Sequence, residues 1–228
     1  MINPYISSQY LDLGREDYRE TWSFQKQLHF LRKTNKIDDT FIFVEHVPGV
    51  YTIGRGSNKE NYPDIDPILI ERGGDVTYHG PGQLVIYPIM RAYEENERRD
   101  VRGFVNSIEN IMIHSMEDMG FHPHLGPEPG IWIYDSPTGN RKVASLGMKI
   151  DSGVSYHGVS INYSEESING FKKIRPCGMD PEVMGYLGVK RDDLRNSIIK
   201  ELEKNYRGTH KLEKDYFIKM LDNIKMEL

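Results

Sequence analysis

The chain of 228 residues contains one cysteine, two tryptophans and no long apolar run. A single cysteine cannot form an internal disulfide, so the fold does not need an oxidising compartment. No stretch approaches the ~20 apolar residues of a membrane span, and residues 1–5 do not begin a basic segment and apolar run of the kind that marks a signal peptide. We therefore expect a cytoplasmic protein without membrane association.

The chain also lacks an excess of positive charge, because its 29 lysines and arginines are outnumbered by 34 acidic residues, which leaves a net charge of -5. Nucleic-acid-binding domains are usually basic, so this balance argues against a nucleic-acid partner. A local basic cluster can still attract an acidic protein, and Lys172, Lys173 and Arg175 form one beside the cysteine. An ordinary solvated loop explains that cluster equally well.

The length suffices for one full core, and no linker divides the chain, so we expect a single domain over residues 1–228. Hydrophobic periodicity predicts helices over 16–33 and 103–119, and a helical C-terminal part from about 190 to 228. Short apolar runs predict strands over 40–44, 51–53, 84–89, 131–134, 142–150 and 154–163. Many strands with few helices favour the α+β class over a regular βαβ array.

Alternation along two of these strands predicts which side chains point together. In strand 142–150, a period of two places Lys142 on the face of Ala144, Leu146 and the residues that follow, pointing inward. In strand 154–163, the same rule places His157 on one face with Val159 and Ile161.

Two local patterns suggest chemistry. Residues 72–83 pack four glycines directly before an apolar strand, and glycine lets the backbone approach a bound group closely, although a tight connection is the simpler explanation. Cys177 lies between Pro176 and Gly178, which are turn residues that suit an exposed thiol. The alternative for Cys177 is a small buried hydrophobe, the commoner state of a free cysteine.

Four segments taken together identify a family more specifically than either of these two patterns does alone. RGGDVTYHGPGQ (72–83), RKVASLGMKI (141–150), SYHGVSINY (155–163) and IRPCGM (174–179) resemble, in order and spacing, the lipoyl(octanoyl) transferases. These are the octanoyl-[acyl-carrier-protein]:protein N-octanoyltransferases of lipoate biosynthesis, and the motif-bearing match runs over about 45–179. The resemblance implies the biotin/lipoate protein ligase-like fold, a mixed-sheet bowl with helices packed outside.

The resemblance also implies an acyltransferase reaction. An octanoyl or lipoyl group would pass from an acyl carrier protein thioester to Cys177, and from this octanoyl-Cys177 intermediate to a specific lysine of a lipoyl domain, the first step of protein lipoylation. The acceptors would be lipoyl domains of 2-oxoacid dehydrogenase complexes and the glycine cleavage H protein. No cofactor and no metal are expected, because the donor thioester is already activated and is carried on phosphopantetheine.

The same resemblance assigns roles to residues. Cys177 would be the nucleophile, and Lys142 would lower the pKa of its thiol and could act as a base, since a free thiol of pKa ~8.5 is only ~3% thiolate at pH 7. His157 and Asn162 would support the site, although strand packing explains them equally well. The donor-binding residues implied are Arg72, Gly73, Gly74, Asp75, Val76, Thr77, Tyr78, His79, Ser145, Leu146, Gly147, Gly158, Val159 and Ser160.

Three other functions remain open. An ATP-dependent lipoate or biotin protein ligase would share the fold, but it adenylates a free acid and needs no cysteine. A carrier-protein-binding module without turnover would also share it. A metal site built from His114, His122 and His124 with Cys177 would lack a closed set of ligands.

Overall fold

The protein was analysed as a computed structural model that describes residues 7–93, 100–126, 129–137 and 139–227, the last five by backbone alone. The strands are β1 Ser8–Glu16, β2 Asp39–His46, β3 Val50–Ile53, β4 Ile68–Leu69, β5 Thr77–His79, β6 Gln83–Ile89, β7 Pro123–Leu125, β8 Ile131–Ser136, β9 Gly139–Asp151, β10 Val154–Asn162 and β11 Thr209–Lys211. The helices are α1 Tyr18–Lys33, α2 Val101–Asp118, α3 Ile168–Phe171, α4 Arg191–Asn205 and α5 Lys214–Glu227.

The strands form two sheets. The large sheet has eight strands in the order β11-β1-β2-β6-β10-β9-β8-β7, and the small sheet has three in the order β4-β3-β5. In the large sheet, β1 runs parallel to β2 and β11, whereas β6 to β10 pair antiparallel. The predicted α+β class with a mixed sheet is confirmed.

Helices cover the large sheet on both faces, because each face presents an apolar surface that must be buried. Apolar side chains of α2 and α4 pack on one face against Phe41, Leu84, Ile161 and their neighbours. On the other face, α1 and Phe217 of α5 pack against Ile42, Val85 and further residues. The α1 face is therefore shared between helices and the small sheet, which is the side on which the cavity described below opens.

The small sheet carries its own core, formed by Tyr62, Val76, Phe171, Ile174 and Met184. Two of these residues belong to the segment that leads from β10 to Cys177. Burying Phe171 and Ile174 in this core fixes the path of the chain just before the cysteine.

Helix α1 begins at Tyr18, where the Asp17 side chain accepts hydrogen bonds from the N–H groups of Arg19 and Glu20 at 2.7 and 3.1 Å. The residues before it, Ser8–Glu16, form β1, a strand that the sequence did not predict. The C-terminal part is helical, as expected, and it contains two helices with the short strand β11 between them. Within the described part of the chain, no helix is both long enough and apolar enough to cross a membrane.

Candidate active site

A cavity of about 140 Å³ lies between the two sheets, roughly ten times the space that one water molecule requires. Residues from both sheets, from the start of α1 and from the turn around Cys177 line it. Of the residues predicted from sequence, the lining includes Arg72, Gly74, Asp75, Val76, Thr77, His79, Lys142, Ser145, Leu146, Gly147, His157, Gly158, Val159, Ser160 and Cys177. Cys177 and Lys142, which are 35 positions apart in the chain, therefore face the same cavity.

Cys177 is exposed and sits in a short 3₁₀ turn, Pro176–Gly178. Its φ is 55°, and that of Gly178 is 77°, so two consecutive residues are left-handed. The turn is closed by the Gly178 N–H, which donates to the Arg175 carbonyl at 2.9 Å, while the Arg175 N–H donates to the Asn61 carbonyl at 2.8 Å. The exposed thiol excludes the buried-hydrophobe alternative, and a left-handed residue with a side chain is a strained arrangement typical of functional sites.

Lys142 reaches the cavity because of a β-bulge. Trp132 of β8 pairs with Lys142, but its neighbour Ile131 pairs with Ala144, so Val143 is an extra residue on β9. Val143 and Ala144 both lie in the core on the α2 face. The strict alternation predicted from sequence, which placed Lys142 on the face of Ala144, is wrong, because the bulge turns Lys142 to the opposite face.

The lysine side chain is buried, with 3% of its surface exposed. Its stem lies against Gly130, where an added Cβ would stand 2.4 Å from the Lys142 Cε and 3.1 Å from its Nζ. The backbone next to Lys142 is fixed as well, since the Gly185 N–H donates to the Lys142 carbonyl at 2.9 Å. The Lys142 side chain can therefore occupy this position only because residue 130 is a glycine and has no side chain.

The end of the cavity away from Lys142 is walled by rings. Tyr18 stacks on His79 with ring centres 5.7 Å apart and meets His46 edge-on at 5.0 Å. His46 Nε2 lies 2.8 Å from the Tyr87 hydroxyl, which fixes the ring of Tyr87 in the wall. From strand spacing and rise, the Cα atoms of Lys142 and Tyr87 are separated by roughly 16–19 Å across β9, β10 and β6.

The sequence did not identify several lining residues, namely Tyr18, Ile70, Val85, Tyr87, Pro129 and Pro176. Val85 and Tyr87 alternate along β6 and could have been recognised as one face of a strand. Tyr18 carries no such signal, because its place in the cavity depends on how the first turn of α1 meets β5.

Three histidines near this end are neutral at pH 7. Burial lowers the pKa of His46 to about 4 and holds the pKa of His79 well below its usual value. Burial also lowers the pKa of His157 to about 4, against the opposing effect of Glu71. Neutral rings can accept or donate a hydrogen bond, and the Nδ1 of His79 has no such partner among the described residues.

His157 points into the cavity because its backbone is left-handed, with a φ of 57°. Its ring lies 4.7 Å from the ring of the preceding Tyr156 and its Nε2 is 3.4 Å from a Glu71 oxygen. Val159 and Ile161 instead pack in the core on the α2 face. The predicted common face of His157, Val159 and Ile161 is therefore wrong.

Gly73, Tyr78 and Asn162 do not line the cavity. The Tyr78 ring packs among glycines, where a Cβ on Gly170 would come within 2.2 Å of it, and it contacts Phe171 at 5.9 Å. Asn162 donates to the Gly185 carbonyl at 2.8 Å and accepts from Gln83 at 2.9 Å. Tyr78 and Asn162 thus hold the segments around the cavity.

The glycines of the cavity wall serve the protein's own packing. A Cβ on Gly158 would stand 2.0 Å from the Ile86 carbonyl oxygen, so Gly158 permits close approach of β10 and β6. A Cβ on Gly147 would stand 3.0 Å from the Arg72 Cδ, so Gly147 leaves room for Arg72.

The three histidines considered for a metal site each contact a different partner. His114 Nδ1 lies 3.3 Å from Glu201, His122 Nδ1 lies 3.2 Å from Asp135, and the His124 ring stacks on Tyr134 at 4.0 Å. In the described ranges of the chain, no three His, Cys, Asp or Glu side chains form a group that could hold a metal ion.

Comparison with known proteins identifies the family. Residues 17–202 match the lipoyl protein ligase A/B catalytic domain. The chain belongs to this family. Its relatives include the octanoyltransferase of Dictyoglomus turgidum, 40% identical over 71% of this chain and 68% of the relative, and that of Dichelobacter nodosus, 39% identical over 77% and 85%. The resemblance to the lipoyl(octanoyl) transferases is confirmed, and the protein is an enzyme of the acyltransferase class.

Several solved structures share the fold of this chain. A bipartite lipoate protein ligase from Thermoplasma acidophilum superposes with a TM-score of 0.67, covering 96% of this chain and 93% of that one at 13% identity. Plasmodium falciparum LipL1 gives 0.66 over 92% and 68% at 16% identity. At such low identity these similarities establish the lipoate protein ligase-like fold alone.

Proposed function

We propose that the protein transfers an octanoyl group from acyl carrier protein to a lysine of a lipoyl domain through an octanoyl-Cys177 thioester. One observation carries this proposal: the only cysteine of the chain and a buried lysine line the same cavity. The curated relatives, which are named octanoyltransferases, support the nature of the transferred group.

In the first half of the reaction, the Cys177 thiolate attacks the carbonyl carbon of the octanoyl thioester. The carbon–sulfur bond to pantetheine breaks, and the leaving thiolate takes a proton from the Lys142 ammonium. The products are octanoyl-Cys177, free pantetheine thiol on the carrier, and neutral Lys142.

In the second half, the neutral amine of the acceptor lysine attacks octanoyl-Cys177. The carbon–sulfur bond breaks, an amide forms, and Lys142 takes the proton that the amine loses. The enzyme returns to a thiolate and an ammonium, so one proton moves out of and back to Lys142 in each cycle. The reaction needs no nucleotide and no metal, because the donor is a thioester.

The cavity suits an alkyl chain. Val76 and Val85 contribute apolar side chains to the lining, which also includes the aromatic wall formed by Tyr18, His79 and Tyr87. Burying the seven carbons of an octanoyl tail would stabilise the complex by about 5 kcal/mol at ~0.8 kcal/mol per methylene. The ring wall sets the depth available to the chain, and therefore its preferred length.

The partners are proposed from the same chemistry. Lys172, Lys173 and Arg175 are exposed beside Cys177, and a basic surface of this kind would attract an acidic carrier protein. The acceptors are the lipoyl domains of 2-oxoacid dehydrogenase complexes and the glycine cleavage H protein. The Thermoplasma ligase structure was described together with an E2 lipoyl domain, which supports this class of acceptor.

Dependence on ATP separates the transferase from an ATP-dependent ligase. The purified protein is mixed with octanoyl-acyl carrier protein and a lipoyl domain, and the mass of the domain is followed. We expect octanoylation without ATP, and none with the Cys177→Ala variant. Octanoylation that occurs only with ATP and free octanoate would assign the protein to the ligases, whereas donor binding without any product would indicate a binding module.

A further inference from the structure

Arg72 is a buried cation that lacks a carboxylate partner. Only 6% of its surface is exposed, and none of the ion pairs among the described residues includes it. Arg32, the second arginine that is buried in the described part of the chain, follows the usual rule, since its Nε lies 2.7 Å from an Asp39 oxygen. Arg72 thus differs from Arg32 in a way that burial alone does not explain.

The hydrogen bonds of Arg72 go to neutral acceptors. Its Nη1 donates to the Gly73 carbonyl at 2.9 Å, and its Nη2 donates to the carbonyl and hydroxyl of Thr52 at 2.9 and 3.1 Å. A guanidinium has five N–H groups, and the buried Nε of Arg72 has no partner among the described residues. These bonds fix the side chain in place but leave its charge uncompensated.

An uncompensated buried charge is strongly destabilising, so an anion is expected nearby. The titratable groups around Arg72 are Tyr18 of α1, Asp75 of the following loop, Tyr87 of β6, His79, His157 and Cys177. The two tyrosines are neutral because burial raises their pKa values, and the two histidines are neutral because burial lowers theirs.

The two remaining groups are Asp75 and Cys177. The Asp75 carboxylate is occupied elsewhere, accepting from the Asn58 N–H at 3.1 Å and from the Asn61 amide, and it forms no ion pair with Arg72. Cys177 lines the same cavity as Arg72. The cysteine thiolate is therefore the anion that this cation can compensate.

We propose that Arg72 is the fixed cation that keeps Cys177 in its thiolate form, while Lys142 carries the proton that moves during transfer. An arginine does not lose its proton in a protein, whereas a lysine can. In the reaction proposed above, Lys142 loses its charge while the acyl group is on Cys177 and regains it only when it takes the proton of the acceptor amine. Arg72 keeps its charge throughout both halves.

The roles of Lys142 rest on the proposed function, but the effect of Arg72 on the thiol does not. The test is the rate at which iodoacetamide alkylates Cys177 in the full-length protein, measured as a function of pH. In Arg72→Met, which removes the charge at similar length, we expect the midpoint of the rate profile to rise by about one pH unit. Arg72→Lys keeps a charge and should stay closer to the parent protein.

Thr52→Val is the matched control, because it removes one hydrogen bond to Arg72 while leaving the charge and the other two bonds. Its profile should match that of the parent protein. If Arg72→Met does not fold, as judged by circular dichroism, Arg72→Gln keeps amide donors without the charge and should give the same rise. Lys142→Met in the same assay measures how much Lys142 contributes to the position of the midpoint.

An unchanged midpoint in a folded Arg72→Met or Arg72→Gln protein would overturn the inference. An equal rise in Thr52→Val would overturn it too, because it would trace the effect to packing of the loop. This outcome does not depend on the transfer assay. If the protein does not transfer octanoyl groups but the alkylation midpoint of Arg72→Met still rises, the proposed reaction is rejected and the role of Arg72 stands.

Discussion

The left-handed backbone at Cys177 has a cost that can be measured. A residue with a side chain at a φ of 55° is destabilised by about 1–2 kcal/mol relative to the right-handed region, and glycine escapes this cost. Glycine also gains freedom in the unfolded chain, which offsets roughly 0.5–1 kcal/mol. We therefore expect Cys177→Gly to be more stable than Cys177→Ala by about 0.5–1 kcal/mol.

Gly178 provides the matched control in the opposite direction. Its φ is 77°, and the nearest atom to an added Cβ would be 3.9 Å away on Asn61, so the new methyl group meets no obstacle. Gly178→Ala should lose about 1 kcal/mol for the backbone conformation alone. Because that space is open, a steric clash could not explain a loss of stability in Gly178→Ala.

Urea unfolding of the three variants measures these differences in the free energy of unfolding. In thermal unfolding, a change of 1 kcal/mol should move the melting temperature by roughly 2–4 °C for a chain of this size. Both Cys177 variants should be inactive in transfer. The reasoning fails if Cys177→Gly is less stable than Cys177→Ala, or if Gly178→Ala is neutral. The first result would mean that Cys177 is not held in a strained conformation, and the second that residue 178 is not.

Three further predictions concern other parts of the chain. Lys142→Arg keeps the charge but cannot lose a proton, so octanoyl transfer in a steady-state assay should fall by about 10²-fold or more; a normal rate would reject the base role. Gly130→Ala would place a Cβ 2.4 Å from both the Lys142 Cε and the Ala144 carbonyl oxygen, so it should displace the Lys142 stem, lower transfer and reduce stability in urea unfolding; unchanged transfer would contradict this placement. Burial would raise the pKa of Asp12, but hydrogen bonds from two arginines of α4 and from the Gly14 N–H outweigh it and bring the pKa from 3.8 to about 2. This lowered pKa should contribute about 1–2 kcal/mol of stability above pH 4 that is lost as the pH falls from about 4 to 2, and Asp12→Asn should abolish that part of the pH dependence in urea unfolding.

The sequence predicted the residues of the candidate site better than their orientation. The resemblance to a family, carried by motifs in the right order, was enough to bring Arg72, Lys142 and Cys177 together, although only Lys142 lies in a predicted strand. Orientation failed at Lys142, where an extra residue on β9 reverses the alternation, and at His157, where the backbone is left-handed. A bulge and a positive φ at a residue with a side chain leave no periodic trace, so alternation rules cannot find them.

The fold was predicted in class but not in every strand. β1 and β11 were missed because their sequences mix polar and apolar residues without clear alternation, and their pairing with each other joins residues 8 and 209. Tyr18 and Tyr87 were missed as cavity residues for a related reason, since both lie outside the motifs and reach the cavity through the packing of α1 and β6 against the small sheet.

We propose that Cys177 carries the octanoyl group between donor and acceptor. The most direct test is the intact mass of the protein after mixing with octanoyl-acyl carrier protein in the absence of ATP. We predict a mass increase of one octanoyl group that is absent in Cys177→Ala and disappears when a lipoyl domain is added. Transfer to the domain without any adduct on the enzyme, or an adduct that persists in Cys177→Ala, would contradict the claim.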